Sequence, residues 1–260
     1  MKKFISIYFI IVLCGIAGCS LVSATTIIID GEFDRTTEWT GYFAEEDTHA
    51  DNYLNPGPGG QAYDVEYLGL YTGNSSIYFG LQTGHHLGTK SSNIFPAGDF
   101  AIDVGDDGSW DYAIDFDISG LIASYTLVDM RGTGLVSYDY IDDPSTHAWR
   151  DVRYSQHNAA SPFEAIYSQS NVLSTFSGAF GNSFDAFNQT SYVLEGMFNF
   201  DLLEIAPGES FSLQWTMGCG NDFLTTTTTA PVPEPATMLL FGTGLMGLMS
   251  MRLRKMKKQV

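Results

Sequence analysis

Apolar and polar positions alternate with a period of two through most of the middle of this chain, and few segments carry a 3.6-residue rhythm. Val65–Tyr71 and Ser76–Thr83 read as two strands joined by the hairpin-type connection Thr72-Gly73-Asn74-Ser75. Asp99–Val104 and Trp110–Ile118 form a second pair around Gly105-Asp106-Asp107-Gly108-Ser109. Further strands are predicted at Thr26–Asp30, Ala123–Met130, Gly134–Tyr140, Phe163–Tyr167, Ser191–Phe200 and Phe211–Met217. Short strands with turns at this spacing predict an all-β domain over residues 25–224, a single antiparallel β-sandwich. Thr40–Tyr63, ending in Asn55-Pro56-Gly57-Pro58-Gly59-Gly60, reads as a loop, and Ser168–Gln189 as a loose hairpin. Five threonines, Thr225–Thr229, then Ala230 and Pro231, read as an extended linker over 225–231.

Both ends depart from this pattern. Lys2 and Lys3, the apolar Phe4–Val22 and the small-residue site Val22-Ser23-Ala24 predict a secretory signal peptide over residues 1–24. Ile16-Ala17-Gly18-Cys19 offers a rival, a lipobox in which Cys19 would carry a lipid. At the other end stands a tripartite tail, residues 232–260. Val232-Pro233-Glu234-Pro235 precedes an uncharged apolar run, Ala236–Met251, and a basic cluster from Arg252 to Lys258. Sixteen residues fall a little short of the ~20 that span a bilayer as a helix. Leu253 and Met256 extend the span if the basic side chains snorkel. The terminal positive charge predicts a cytoplasmic C-terminus with the main domain outside.

This tail resembles the PEP-CTERM sorting signal, through Pro233, Glu234 and Pro235, a glycine-bearing span (Gly242, Gly244, Gly247) and the Arg/Lys end. The resemblance implies a Gram-negative bacterium that makes extracellular polysaccharide. It also implies an exosortase-type sorting protease in the inner membrane as partner, and removal of the tail after export. Other C-terminal sorting signals follow the same logic, in which the mature protein keeps no span.

Charge narrows the partners. Residues 25–229 hold 29 acidic side chains against Arg35, Lys90, Arg131, Arg150 and Arg153, a net charge of −24. Such a surface repels nucleic acid, which is excluded as a partner. With Cys14 and Cys19 inside the signal, Cys219 is the one cysteine of the exported domain. Flanked by Gly218 and Gly220 after an apolar strand, it reads either as a small buried hydrophobe or as a reactive or interchain thiol.

Candidate chemistry is sparse. The segment Asp103-Val104-Gly105-Asp106-Asp107-Gly108 places carboxylates around glycines, and Asp103, Asp106 and Asp107 are candidate calcium ligands. It lacks EF-hand spacing and sits where a hairpin turn is required, so a solvated turn is the alternative. Asp222 beside Asp30-Gly31-Glu32 suggests either a carboxylate cluster or simple closure of the domain. The five histidines lack H-E-x-x-H spacing, and no G-x-S-x-G elbow, phosphate cradle or C-x-x-C occurs, so no catalytic residue is assigned. Trp149, in a polar stretch, is the candidate exposed aromatic for stacking on a sugar.

Ile29-Asp30-Gly31-Glu32-Phe33-Asp34 with Glu38-Trp39, then Tyr67–Tyr71 and Ile77–Leu81, resemble the opening of family-nine carbohydrate-binding modules and DOMON-like sandwiches. Tyr192–Phe198, carrying Glu195, resembles their later strand. The resemblance implies a jelly-roll or DOMON-like topology but transfers no binding residue. The expectation is an exported, non-catalytic surface or extracellular-matrix protein associated with exopolysaccharide. Two alternatives stand beside it: a carbohydrate-binding module with a defined sugar site, and a polysaccharide-active hydrolase.

Overall fold

A computed structural model describes residues 26–45, 60–73, 75–87, 95–131, 148–151, 162–184, 189–220, 222–232, 243–244 and 246–247. Twelve strands order the described chain: β1 (Phe43–Glu45), β2 (Val65–Thr72), β3 (Ser76–Thr83), β4 (Phe100–Val104), β5 (Tyr112–Ser119), β6 (Ile122–Asp129), β7 (Trp149–Asp151), β8 (Pro162–Ala165), β9 (Val172–Phe184), β10 (Thr190–Asn199), β11 (Ser210–Thr216) and β12 (Phe223–Thr229). Ten of them form one antiparallel sheet in the order β1-β2-β3-β10-β9-β6-β5-β4-β11-β12, and β7 pairs with β8. The ends of the large sheet curl together. Asp222, just before β12, accepts a hydrogen bond from the Val65 amide at 2.6 Å, and the Thr72 hydroxyl donates to the Thr229 carbonyl at 3.2 Å. The result is a sandwich-like, nearly closed barrel, in keeping with the all-β antiparallel expectation.

Alternation decides which side chains fill it. Leu68, Leu70, Ile77, Phe79 and Leu81 on β2 and β3 point inward with Phe100, Ile114, Tyr125, Phe211 and Trp215 to make the main core. Two patches on the outside of the sheet are also apolar, and each is covered. Over β4–β6, Ala101, Ala113 and Val128 pack under β7 and β8. Over β2, β3 and β10, Tyr67 and Val193 pack under the N-terminal segment through Ile27, Phe33 and Trp39.

Three segments depart from the expected elements. Thr26–Asp30 is not a strand but part of the covering segment, with Ile27 buried. Ser168–Gln189, expected as a loose hairpin, contains the continuous 13-residue strand β9, which pairs with both β6 and β10. The threonine run expected as a linker is strand β12, paired along its length with β11. β-branched threonine favours extended backbone, and one partner strand is enough to order it. Gly134–Tyr140, the N-terminal signal and most of the hydrophobic tail lie outside the described residues. Within the tail, Thr243–Gly244 and Met246–Gly247 are helical.

Paired glycines set the seat for the N-terminal cover. Gly69 and Gly80 face each other across β2 and β3, with the Trp39 and Phe33 rings stacked 5.0 Å apart above them. A Cβ at Gly69 would lie 2.5 Å from the Trp39 ring, and one at Gly80 would lie 2.8 Å from both rings. Since Trp39 is fully buried, the ring has nowhere to move. Gly69→Ala is therefore expected to cost about 1–3 kcal/mol by overpacking. Gly73→Ala, where the nearest atom would be 3.6 Å away, should change stability by less than about 0.5 kcal/mol. Urea unfolding of the two variants checks the difference.

Candidate functional site

Glu195, on β10, is completely buried, and its carboxylate holds the N-terminal cover in place. One oxygen accepts from the Gly31 amide at 2.9 Å and the Asp30 amide at 3.2 Å, and the other accepts from the Trp39 indole N–H at 3.0 Å. Gly31 has φ +88°, and a Cβ there would meet the β9 backbone at Gly181, 3.0 Å away, so glycine is required for the turn to dock. Burial raises the Glu195 carboxyl to about 7, opposed by the hydrogen bonds from Gly31, Trp39 and Asp30. Alternation placed Glu195 on a strand but gave no sign that it faces a second layer.

Asp222 does not join the opening Asp30-Gly31-Glu32. It caps the end of β2 instead, accepting from the Val65 amide and from its own neighbour Phe223. Burial foremost, with Asp64 nearby, pushes its carboxyl up to about 7. This is the closure reading: the start of the last described strand is tied to β2. Beside it, Glu66 accepts from Gln61 at 2.8 Å and from Gln82 and the Ser191 hydroxyl, knitting β2, β3 and β10 into one buried polar cluster. His85 is buried. Its Nδ1 lies 2.9 Å from the Ala62 carbonyl, and burial pushes its pKa down.

The calcium candidates are not brought together as a ligand set. Asp103 turns its two oxygens onto the Asp107 and Gly108 amides at 3.1 and 2.8 Å, Asp107 accepts from the Ser109 amide, and Asp106 accepts from the Ser210 hydroxyl. Asp111 accepts from the Val104 amide at 2.8 Å. Gly105, Asp106 and Gly108 all have positive φ, so the loop is a tight turn in which Asp103 and Asp107 serve its own backbone and Asp106 reaches β11. Among the described residues, no group of three or more Asp, Glu, His or Cys side chains is arranged to hold a metal ion.

Trp149 is also placed differently from expectation. It is 3 % exposed and packs with Ala101, Ala113 and Val128 on the outside of the sheet. Small residues on β4 and β5 leave a shallow apolar patch, and the indole fills it. Trp149 is thus unavailable as a sugar platform. Cys219 is buried, as the small-hydrophobe reading expects.

Among the described residues, an opening lies where the sheet nearly closes. A cleft of about 420 Å³ lies between the β1 end and β12, lined by Tyr42, Phe43, Leu70 and Thr226–Thr229. Tyr42 is half-buried, with its ring edge-on to Tyr71 at 4.6 Å, and Tyr71 in turn lies 5.8 Å from Tyr78. Sequence reading missed this place because it took Thr225–Thr229 for a linker.

Residues 231–255 match the family model of the PEP-CTERM protein-sorting motif. No curated relative and no solved structure matches the chain. The matched stretch contains Pro233, Glu234 and Pro235, which lie outside the described residues.

Two outcomes test these assignments. Asp103→Ala strips the acceptor from two turn amides and is expected to cost about 1–3 kcal/mol. Added calcium should leave the thermal midpoint of the wild-type protein unchanged, and a clear rise would restore the metal reading. For Asp222 and Glu195 the folded pKa of about 7 lies above the ordinary 3.8 and 4.5. Between about pH 4 and 7 the folded state keeps protons the unfolded chain has released, so both groups lose stability as pH rises through that window and level off above it. His85 acts in the opposite sense near its own titration, so the readout is the difference between proteins. Urea midpoints at pH 5, 6, 7 and 8 should fall less steeply for Asp222→Asn than for wild type, by up to one proton of slope.

Proposed function

We propose that this chain, an exported protein sorted through its PEP-CTERM motif by an exosortase, is a non-catalytic component of the surface or extracellular matrix that associates with exopolysaccharide. The motif at residues 231–255 carries the premise: a membrane-anchored precursor in a Gram-negative envelope whose tail is addressed to the sorting enzyme. The non-catalytic reading is supported by where the unusual carboxyls are employed. Glu195 and Asp222, the two whose proton affinity is raised most among the described carboxyls, both serve backbone amides that join one part of the fold to another. An acid or base for hydrolysis needs a carboxyl free to reach a substrate proton. Fixed outer patches over the sheet, each already covered, suit a stable display body better than a catalytic cleft.

A second reading, a module with a defined sugar site, is favoured by one observation, the cleft beside β12.

Replacing Pro233, Glu234 and Pro235 together by alanine should leave the unprocessed precursor in the inner-membrane fraction, while the wild-type protein is found shorter and outside it. Immunoblots of fractionated cells, with an exosortase-deleted strain alongside, read the result. Equal processing of both forms would overturn the sorting assignment. Co-sedimentation with purified exopolysaccharide tests the association, and a wild-type protein that stays in the supernatant would overturn it.

A further inference from the structure

We propose that the cleft between β1 and β12 is a binding site for an uncharged polysaccharide chain, a claim that deepens the exopolysaccharide reading and rests on it. The cleft's volume, about 420 Å³, lies within the range of built ligand pockets. It runs along four consecutive residues of β12, Thr226–Thr229, a length of ~10 Å at strand rise. Among the described residues β12 forms a hydrogen-bonded ladder only with β11, and β2 and β1 approach its second edge within 8 Å without pairing with it. At the far end the Thr72 hydroxyl already occupies the Thr229 carbonyl. Along the mouth of the cleft each threonine presents a hydroxyl that both donates and accepts. A chain of sugar hydroxyls has the same dual character.

The opposite wall supplies the apolar counterpart. Tyr42 and Phe43 line it, and the Tyr42 ring is held by its edge contact with Tyr71, so little side-chain freedom is lost when a ligand packs against it. The Tyr42 ring, with one apolar body and one wet end, suits a sugar, which also carries apolar C–H and polar O–H surfaces.

Two features exclude rivals. Among the described residues no charged side chain lines the cleft, and the exported domain carries −24, which repels a polyanionic glycan. An extended peptide would instead join the sheet by pairing with the strand edges, and that needs room. Seating a strand between two edges requires them ~9.5 Å apart, whereas Cα atoms of β1 and β12 approach within 8 Å. A peptide pairing in the sheet does not fit between them.

The full chain, purified in detergent, is titrated by calorimetry with cellohexaose, mannohexaose and chitohexaose, and with hexagalacturonate as the anionic control. At least one neutral hexasaccharide is expected to bind, and hexagalacturonate at least tenfold more weakly. Tyr42→Ala and Thr227→Lys should each weaken the neutral ligand tenfold or more, while Tyr42→Phe stays within threefold. Circular dichroism and thermal midpoints confirm that each variant is folded. Absence of binding by all three neutral sugars, or unchanged affinity in folded Tyr42→Ala and Thr227→Lys, overturns the site. Co-sedimentation with native exopolysaccharide separates the two claims. Tyr42→Ala retained as well as wild type sinks the cleft and leaves the matrix reading intact, whereas a wild-type protein that is not retained sinks the matrix reading itself.

Discussion

A single buried carboxylate holds the N-terminal cover of this protein to its sheet. Glu195 presents two oxygens to three donors, the Asp30 and Gly31 amides and the Trp39 indole. Hydrogen bonds to a charged group are worth about 1.5–3 kcal/mol each, while an unpaired buried charge costs several. The arrangement is favourable only as a complete set. That makes it selective: the N-terminal segment can dock in one register, with Gly31 at the turn and Trp39 seated on Gly69 and Gly80. Once docked, Ile27, Phe33 and Trp39 cover Tyr67 and Val193, which would otherwise face water.

The main core was legible because its strands obey a simple period. Val65–Tyr71, Ser76–Thr83, Trp110–Ile118, Ser191–Phe200 and Phe211–Met217 each match the strand that forms to within two residues at either end, and their inward residues follow from alternation. The second layer was not legible, and for a physical reason. Ala101 and Ala113 sit between large apolar neighbours, so β4 and β5 are apolar on both faces, which marks a sheet covered on both sides. Nothing in the local pattern says that Trp149 provides that cover. Strand β9 was obscured because its inward side is sparse. Gly178 separates Phe176 from Phe180, and a Cβ there would fall 2.0 Å from the Glu195 carbonyl, so the strand must be slim where it passes β10. β12 was hidden by uniformity: five identical residues have no alternation to read, although threonine suits a strand.

Sorting and domain divide their information differently. The motif is linear, carried by Pro233, Glu234, Pro235, the apolar run and the basic end, and sequence alone reveals it. The candidate sugar cleft exists only after the sheet curls, since Tyr42 and Thr227 are far apart in the chain and meet because β1 and β12 are the two ends of one sheet. Such a site carries no sequence signature to find.

The ordering of β12 also shortens the leash on which the domain is held. The fold continues through Ala230, whose amide donates to the Glu209 carbonyl at 2.8 Å and whose carbonyl accepts from Gly208 at 3.1 Å. Only the six residues from Pro231 to Ala236 then lead to the start of the apolar run, at most ~20 Å of extended chain. Before the tail is removed, the barrel therefore cannot tumble freely above the bilayer. The end of β12 is the part of the barrel closest in sequence to the motif, so a protease reaching Pro233 must work close to it. Cutting the tail would do more than release the protein: it would also free the barrel to rotate.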